Sequence, residues 1–261
     1  MNYIPRRATS AIVLLAAAAL LSSTAAAETM TVATEFGVGD QVTLADIENG
    51  AGTIVVGDKE FSNFVYTNQP GTPSSEMVIV EGFENATTGE IGLIFNVAFA
   101  AGVIGPPVLD ASLLFTVTIL DPLMVFESAS LTGTAIVPVL EGNSGVAAIE
   151  EVIVGEPGGE DFGLGIENNV LNGVQGPVSL FDEVVFGPGT NFTSLDITKD
   201  IFVGAGEFTG QLPDGQQDTF DRARLTTFTQ TFTQRQIPEP SSVLLIMVGL
   251  AGATGCRRRK N

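Results

Sequence analysis

Apolar and polar side chains alternate along most of this chain, and that period of two confines its body to extended structure. Ile91, Leu93, Phe95, Val97 and Phe99 share one face of a strand, as do Leu113, Phe115, Val117 and Ile119. Comparable segments are Gln41–Ile47, Thr53–Val56, Phe61–Tyr66, Met77–Glu81, Ser130–Val137, Val178–Phe186 and Leu195–Val203. Between the segments lie Asn49-Gly50, Gln69-Pro70-Gly71, Gly105-Pro106-Pro107, Gly155–Gly159 and Pro213-Asp214-Gly215, all of which break regular structure. Only Val146–Val154 reads equally as helix or strand. Many short strands punctuated by turns predict an all-β fold, an antiparallel β-sandwich with a jelly-roll-like topology. Leu225–Gln234, rich in Thr and free of Gly and Pro, is its expected last strand.

Two terminal segments stand apart from this pattern. Residues 1–27 carry Arg6 and Arg7, an apolar run from Ala11 to Leu21, small residues at Ala25 and Ala27, and no acid. This is a secretory signal peptide pattern, with cleavage by signal peptidase expected after Ala27. The alternative, a retained membrane helix, would need a longer run to cross a ~30 Å hydrocarbon layer.

At the other end, Pro238 and Pro240 hold Ile237 and Glu239 extended, a shape suited to a protease cleft. An apolar stretch follows from Val243 to Gly255, then Cys256 and the cluster Arg257, Arg258, Arg259 and Lys260. The 17 residues from Pro240 to Cys256 give a helix of about 26 Å at ~1.5 Å per residue, the lower limit for a transmembrane helix. Four cations in a row stay cytoplasmic, which places the body on the far side of the membrane. Gly249, Gly252 and Gly255 leave room for a second helix to approach.

The combination of a Pro238-Glu239-Pro240 triplet, one hydrophobic helix, a terminal basic cluster and a signal peptide resembles the PEP-CTERM sorting domain. The resemblance covers about the last 25 residues. It implies recognition by an exosortase, an integral membrane cysteine protease or transpeptidase of exopolysaccharide-producing bacteria, and cleavage near the triplet. The protein would be transiently anchored in the inner membrane with its ectodomain outside, then released or transferred to the cell surface. Val56–Phe64, a glycine turn leading into a strand with Phe61 and Phe64, is similar to a block found early in many ectodomains of that kind. Its plain account is structural: Gly57-Asp58 makes the turn, and the two Phe enter the core from opposite sides of the strand or across a bulge.

The chain therefore divides into a signal peptide (1–27), an acidic ectodomain (28–236) and a sorting segment (237–261). The ectodomain holds Lys59, Lys199, Arg222, Arg224 and Arg235 against 29 acids, a net charge of −24. Such a surface repels phosphate backbones, so nucleic acid is not an expected partner. With no His, no Trp and one Cys, the sequence excludes His-based nucleophilic catalysis, His or Cys zinc sites and a disulfide framework. Adjacent acids such as Glu150-Glu151, Glu160-Asp161 and Asp182-Glu183 keep a carboxylate hydrolase open as an alternative, although strand neighbours point to opposite faces. No cofactor is expected. Glu156–Asp161 and Asp214–Asp218 put oxygen ligands on glycine-containing loops and leave calcium open, with a solvated turn as the preferred reading of both. Asn85-Ala86-Thr87 and Asn191-Phe192-Thr193 match the glycosylation tripeptide, which is short enough to arise by chance. The expectation is a non-enzymatic, exported surface or extracellular-matrix protein. A carbohydrate-binding or adhesive module of the exopolysaccharide matrix is the first alternative, and a secreted carboxylate-dependent glycan hydrolase the second.

Overall fold

The computed structural model describes residues 39–50, 52–102, 108–139, 143–206 and 221–237, with Asp221 and Arg222 described by their backbone alone. All of them belong to the unit Ala33–Asn261; a separate unit, Met1–Val32, lies outside the described residues. Among the described residues, thirteen strands build two antiparallel sheets. In spatial order, sheet A holds β1 (Gln41–Thr43), β4 (Ile79–Asn85), β5 (Glu90–Gly102), β13 (Asp221–Gln236), β7 (Met124–Ile136) and β11 (Phe181–Val185). Sheet B holds β10 (Val174–Ser179), β9 (Glu160–Leu171), β8 (Gly145–Glu156), β12 (Ser194–Ala205), β6 (Val108–Ile119), β3 (Lys59–Asn68) and β2 (Ile54–Val56). Chain neighbours β5 and β6, β6 and β7, β7 and β8, β11 and β12, and β12 and β13 lie in opposite sheets, so the chain repeatedly crosses the core.

The inner faces follow from the alternation. All five residues of the Ile91–Phe99 set on β5 and all four of the Leu113–Ile119 set on β6 are buried. Phe rings connect the sheets: Phe95 of sheet A meets Phe115 of sheet B at 5.9 Å, and Phe61 of sheet B meets Phe232 of sheet A at 6.1 Å, while Phe95 also stacks on its own-sheet neighbour Phe228 at 4.7 Å. Such pairs add about 0.5–1.5 kcal/mol each beyond the area they bury.

Phe61 and Phe64 both reach the core, through a bulge. The β3–β6 register shifts between Ser62 and Val65, and Asn63 takes φ 56 there. One extra residue in β3 restores the same face after an odd step. Gly57, at φ +58, and Asp58 form the two-residue turn that joins β2 to β3.

Three sequence expectations change. Gln41–Ile47 is a strand only to Thr43; helix α1 (Leu44–Asn49) follows, because the Thr43 hydroxyl accepts the Asp46 N–H at 3.1 Å and buries Leu44, Ala45 and Ile47. Val178–Phe186 is not one strand, because the chain leaves sheet B after Ser179 and enters sheet A at Phe181. Its apolar residues Val178, Phe181 and Val185 are exposed on edge strands. Strand β9 carries no clear alternation in sequence, because Gly163, Gly165, Asn168 and Asn169 interrupt it. Pairing with β8 along its length holds it extended all the same. The ambiguous Val146–Val154 is β8. Gly105–Pro107 and Pro213–Gly215 lie outside the described residues.

Candidate functional site

Strand β13 is the last described element, and its end sets where the chain leaves the sandwich. The Ile237 N–H donates to the Leu123 carbonyl at 2.9 Å. Arg235 donates from Nη2 to the Thr190 carbonyl at 2.6 Å, which ties the strand end to the loop before β12. The sorting residues therefore begin where the sheet ends.

Inward, β13 presents Phe228, Gln230, Phe232 and Gln234, and both glutamines meet lysines of sheet B. Lys199 Nζ, fully buried on β12, donates to Gln230 Oε1 at 2.5 Å and to the Glu151 carboxylate of β8. Register puts Lys199 directly opposite Glu151. The Phe228 and Phe115 rings lie 5.7 and 6.0 Å from the same nitrogen. Glu151 Oε1 and Gln230 Nε2 are buried without a hydrogen-bond partner. Burial pushes the Lys199 ammonium well below its ordinary value. Lys59 repeats the arrangement on β3, donating to Gln234 Oε1 at 2.7 Å and Asp58 Oδ1 at 2.9 Å, with the Phe126 ring 6.0 Å away. Burial lowers Lys59 too, with the Asp58 carboxylate opposing the shift. Sequence reading counted both lysines as surface charge; the legible signal was a Gln at every fourth position of an otherwise apolar strand face.

The outer face of sheet B carries a cleft of about 510 Å³ over β8, β9 and β12. Asp200 is opposite Glu150, which is opposite Gly165; Phe202 is opposite Ala148, which is opposite Glu167. All six line the cleft. Ala148 and Gly165 leave its floor low. Phe202 stays about one third exposed, and its ring packs along its own strand over Gly204, where a Cβ would come within 2.9 Å of it. Facing carboxylates repel, so the cleft favours a ligand that brings donors or positive charge.

Of the residues singled out in the sequence, Ala25, Ala27, Pro238, Glu239, Pro240, Arg257, Arg258, Arg259 and Lys260 lie outside the described residues, as does Asp214–Asp218. Glu156–Asp161 forms the β8–β9 turn, and among the described residues no group of three His, Cys, Asp or Glu is placed to hold a metal. Of the adjacent acids, Glu151 faces the core and Glu150 the cleft. Among the described residues no helix is long and apolar enough to cross a membrane; Val243–Gly255 is not among them.

Fold and strand end together define an all-β, two-sheet antiparallel sandwich with a separate C-terminal segment. That segment is a PEP-CTERM protein-sorting motif, matched over residues 236–260. No curated protein matches the chain. Two solved structures are similar at low level. One comes from work on carbohydrate-binding modules of the β-sandwich superfamily and their promiscuous specificity: 12% identity over 66% of this chain and 57% of that one, TM-score 0.27. The other is a carbohydrate-binding module described for specific mannan recognition: 12% identity over 77% of this chain and 98% of that one, TM-score 0.27. The chain thus spans a little over half of the first structure, at 57%.

Proposed function

We propose that this chain is a non-enzymatic, exported surface or extracellular-matrix protein. Residues 1–27 act as its signal peptide, and an exosortase-type membrane protease processes it at Pro238-Glu239-Pro240. The observation that carries this reading is where the motif begins: β13 ends at Gln236, and the sorting motif spans 236–260. Cleavage near the triplet removes the anchor and leaves every strand of the sandwich intact. The span after Pro240 holds the precursor in the inner membrane, and Arg257–Lys260 keep its end cytoplasmic. The absence of His and the placement of the single Cys at position 256 support a body without His- or Cys-based nucleophilic catalysis.

Replacing Glu239 by Gln, or deleting residues 257–260, is expected to accumulate a membrane-bound precursor in a host with the matching protease. Fractionation and the mass of the mature C-terminus check this, and unchanged processing in both variants overturns it. The finer reading of the fold, a jelly roll, is supported by the strand orders β5-β13-β7-β11 and β6-β12-β8-β9, in which every connection between successive strands of the two sets except β8–β9 crosses between sheets.

A second reading, binding of matrix polysaccharide, is favoured by the cleft. Sugar hydroxyls would donate to Asp200, Glu150 and Glu167 while a ring face stacks on Phe202. Retardation of the exported protein in gels containing soluble polysaccharide is then expected to drop at least tenfold in apparent affinity for Phe202→Ala. Equal retardation of both proteins counts against this reading, and turnover of the polysaccharide counts against the non-enzymatic one.

A further inference from the structure

Lys199, Gln230 and Glu151 form a reactive set that the sorting function does not use. We propose that Lys199 and Gln230 become joined by an amide bond between Lys199 Nζ and the side-chain carbonyl carbon of Gln230, with Glu151 carrying the proton and ammonia leaving. The inference is independent of the reading given above, because it concerns the core of the sandwich.

Four features support it. The nucleophile is close: Nζ is 2.5 Å from Gln230 Oε1, so the carbon to be attacked is one bond beyond the atom it already touches. Holding the partners together this way is worth effective molarities of about 10⁵–10⁸ M, which offsets the low reactivity of a carboxamide. The amine can be neutral, since a fully buried Lys199 is driven toward its uncharged form. A proton carrier touches it: Glu151 accepts from Nζ on one oxygen, while its other oxygen has no partner. Finally, the Gln230 amide nitrogen, which must leave, is held by no hydrogen bond. A buried polar group left unsatisfied is costly, and here there are two, each on a side chain that accepts from the same lysine through its other polar atom.

The step balances without an oxidant or cofactor. The ion pair first becomes a neutral amine and a carboxylic acid. The Nζ lone pair forms the new C–N bond at the Gln230 carbonyl carbon, and Glu151 delivers its proton to the amide nitrogen. The old C–N bond breaks as ammonia departs, and Glu151 recovers a proton from Nζ. One secondary amide and one ammonia replace one amine and one primary amide. Phe115 and Phe228 flank Nζ and keep water from competing.

The Lys59 set also joins a lysine, a glutamine and a carboxylate, here Asp58 in place of a Glu, in a different environment. The Asp58 side chain is 26% exposed, and Gln234 is only partly buried. Solvent reaches its carboxylate, so the inference is confined to Lys199. The location of the bond has a consequence: it ties β13, the strand that runs into the sorting motif, to β12 in the opposite sheet. Force applied through an anchored C-terminus would then load a covalent link as well as ladder hydrogen bonds.

The test is the mass of the purified protein under denaturing conditions, followed by digestion with trypsin and a glutamate-specific protease. A mass one ammonia below the sequence value is expected, with a branched peptide joining the segment around Lys199 to Leu225–Arg235. Lys199→Met and Gln230→Met should each restore the lost ammonia, and Glu151→Gln should abolish or slow the reaction at least tenfold. Wild-type protein at full mass with only linear peptides overturns the proposal, and needs no variant to fold. So does an ammonia loss that persists in Lys199→Met. A bond that forms at an unchanged rate in Glu151→Gln overturns the role of Glu151.

Discussion

Lys59 and Lys199 are two of the five cations in residues 28–236, and both side chains are fully buried in the core. An ion pair taken out of water rarely stabilises a fold more than apolar packing would, while removal of one partner is costly. Lys199→Met leaves Glu151 buried and unpaired and should destabilise the sandwich by about 3–5 kcal/mol in urea unfolding. Lys59→Met leaves Asp58 partly solvated and should cost about 1–2 kcal/mol. Alkaline pH separates Lys59 from Tyr66. Lys59 has a folded value below its ordinary 10.5, so its contribution is present above 10.5 and is lost as pH falls through the lowered value. Burial, with the Glu48 carboxylate adding, holds the Tyr66 phenol above 10.0, so its contribution is present below 10.0 and lost as pH rises. The two slopes oppose each other. Lys59→Met should therefore lack the gain in stability that wild type shows as pH rises toward 10.5, read from urea midpoints. Tyr66 also supplies its own probe, because the chain has two Tyr and no Trp, and Tyr3 falls in the proposed signal peptide. In the processed protein, phenolate absorbance should appear only together with unfolding; titration of the folded protein at the ordinary value would refute the burial argument. Apart from the repeated Gln of β13, none of this was legible from the chain, where a lone Lys in a strand reads as a solvated charge.

At the scale of the element, β13 is the most informative strand. Thr227-Phe228-Thr229-Gln230 is followed by Thr231-Phe232-Thr233-Gln234, and the period of two announced a strand correctly. What the pattern did not disclose is that both glutamines point inward, while the Thr231 and Thr233 hydroxyls pair with Ser130 at 2.7 Å and Ser128 at 2.8 Å on the outer face. Polar partners for a strand come from sequence-distant elements, so alternation locates a face without saying what meets it. The same limit hid β9, whose extended shape depends on β8 more than on its own residues. Backbone approach is the other property invisible in sequence. A Cβ at Gly92 on β5 would sit 1.9 Å from the Gln230 carbonyl oxygen of β13, a backbone atom with no freedom to swing away. Gly92→Ala should cost about 1–3 kcal/mol in denaturant unfolding and loosen the strand that positions Gln230. At Gly163 on β9 the nearest atom to such a Cβ is the Glu151 carbonyl oxygen at 3.9 Å, so Gly163→Ala should be neutral within ~0.5 kcal/mol or slightly stabilising. Equal losses at both positions would refute the contact argument.

At the scale of the molecule, alternation was enough to indicate an all-β sandwich, because one face of nearly every strand must be apolar to build the core, and the Pro-Glu-Pro triplet with its apolar run and basic cluster was enough to indicate the C-terminal sorting motif. The charge was legible too, though not its distribution. With Lys59 and Lys199 inside the core, the surface is more one-sided than the net −24 of residues 28–236 conveys. Like charges at this density repel across the folded surface, and the repulsion relaxes when the chain expands. Screening over a Debye length of about 8 Å at ~0.15 M salt should therefore raise the melting midpoint above its low-salt value. Calcium separates this general field from a specific site. At matched ionic strength, calcium and sodium chlorides should give the same midpoint within about 2 °C if the acids act only as a field, whereas an ion bound to the folded state stabilises by mass action and shifts the midpoint with its own concentration. Because the described acids form no cluster placed for a metal, the expected result is equal midpoints and no response to chelator. A calcium-specific rise reversed by chelator would overturn that expectation, and loss of the rise on replacing Asp200 and Glu150 by their amides would assign the ion to the cleft on sheet B.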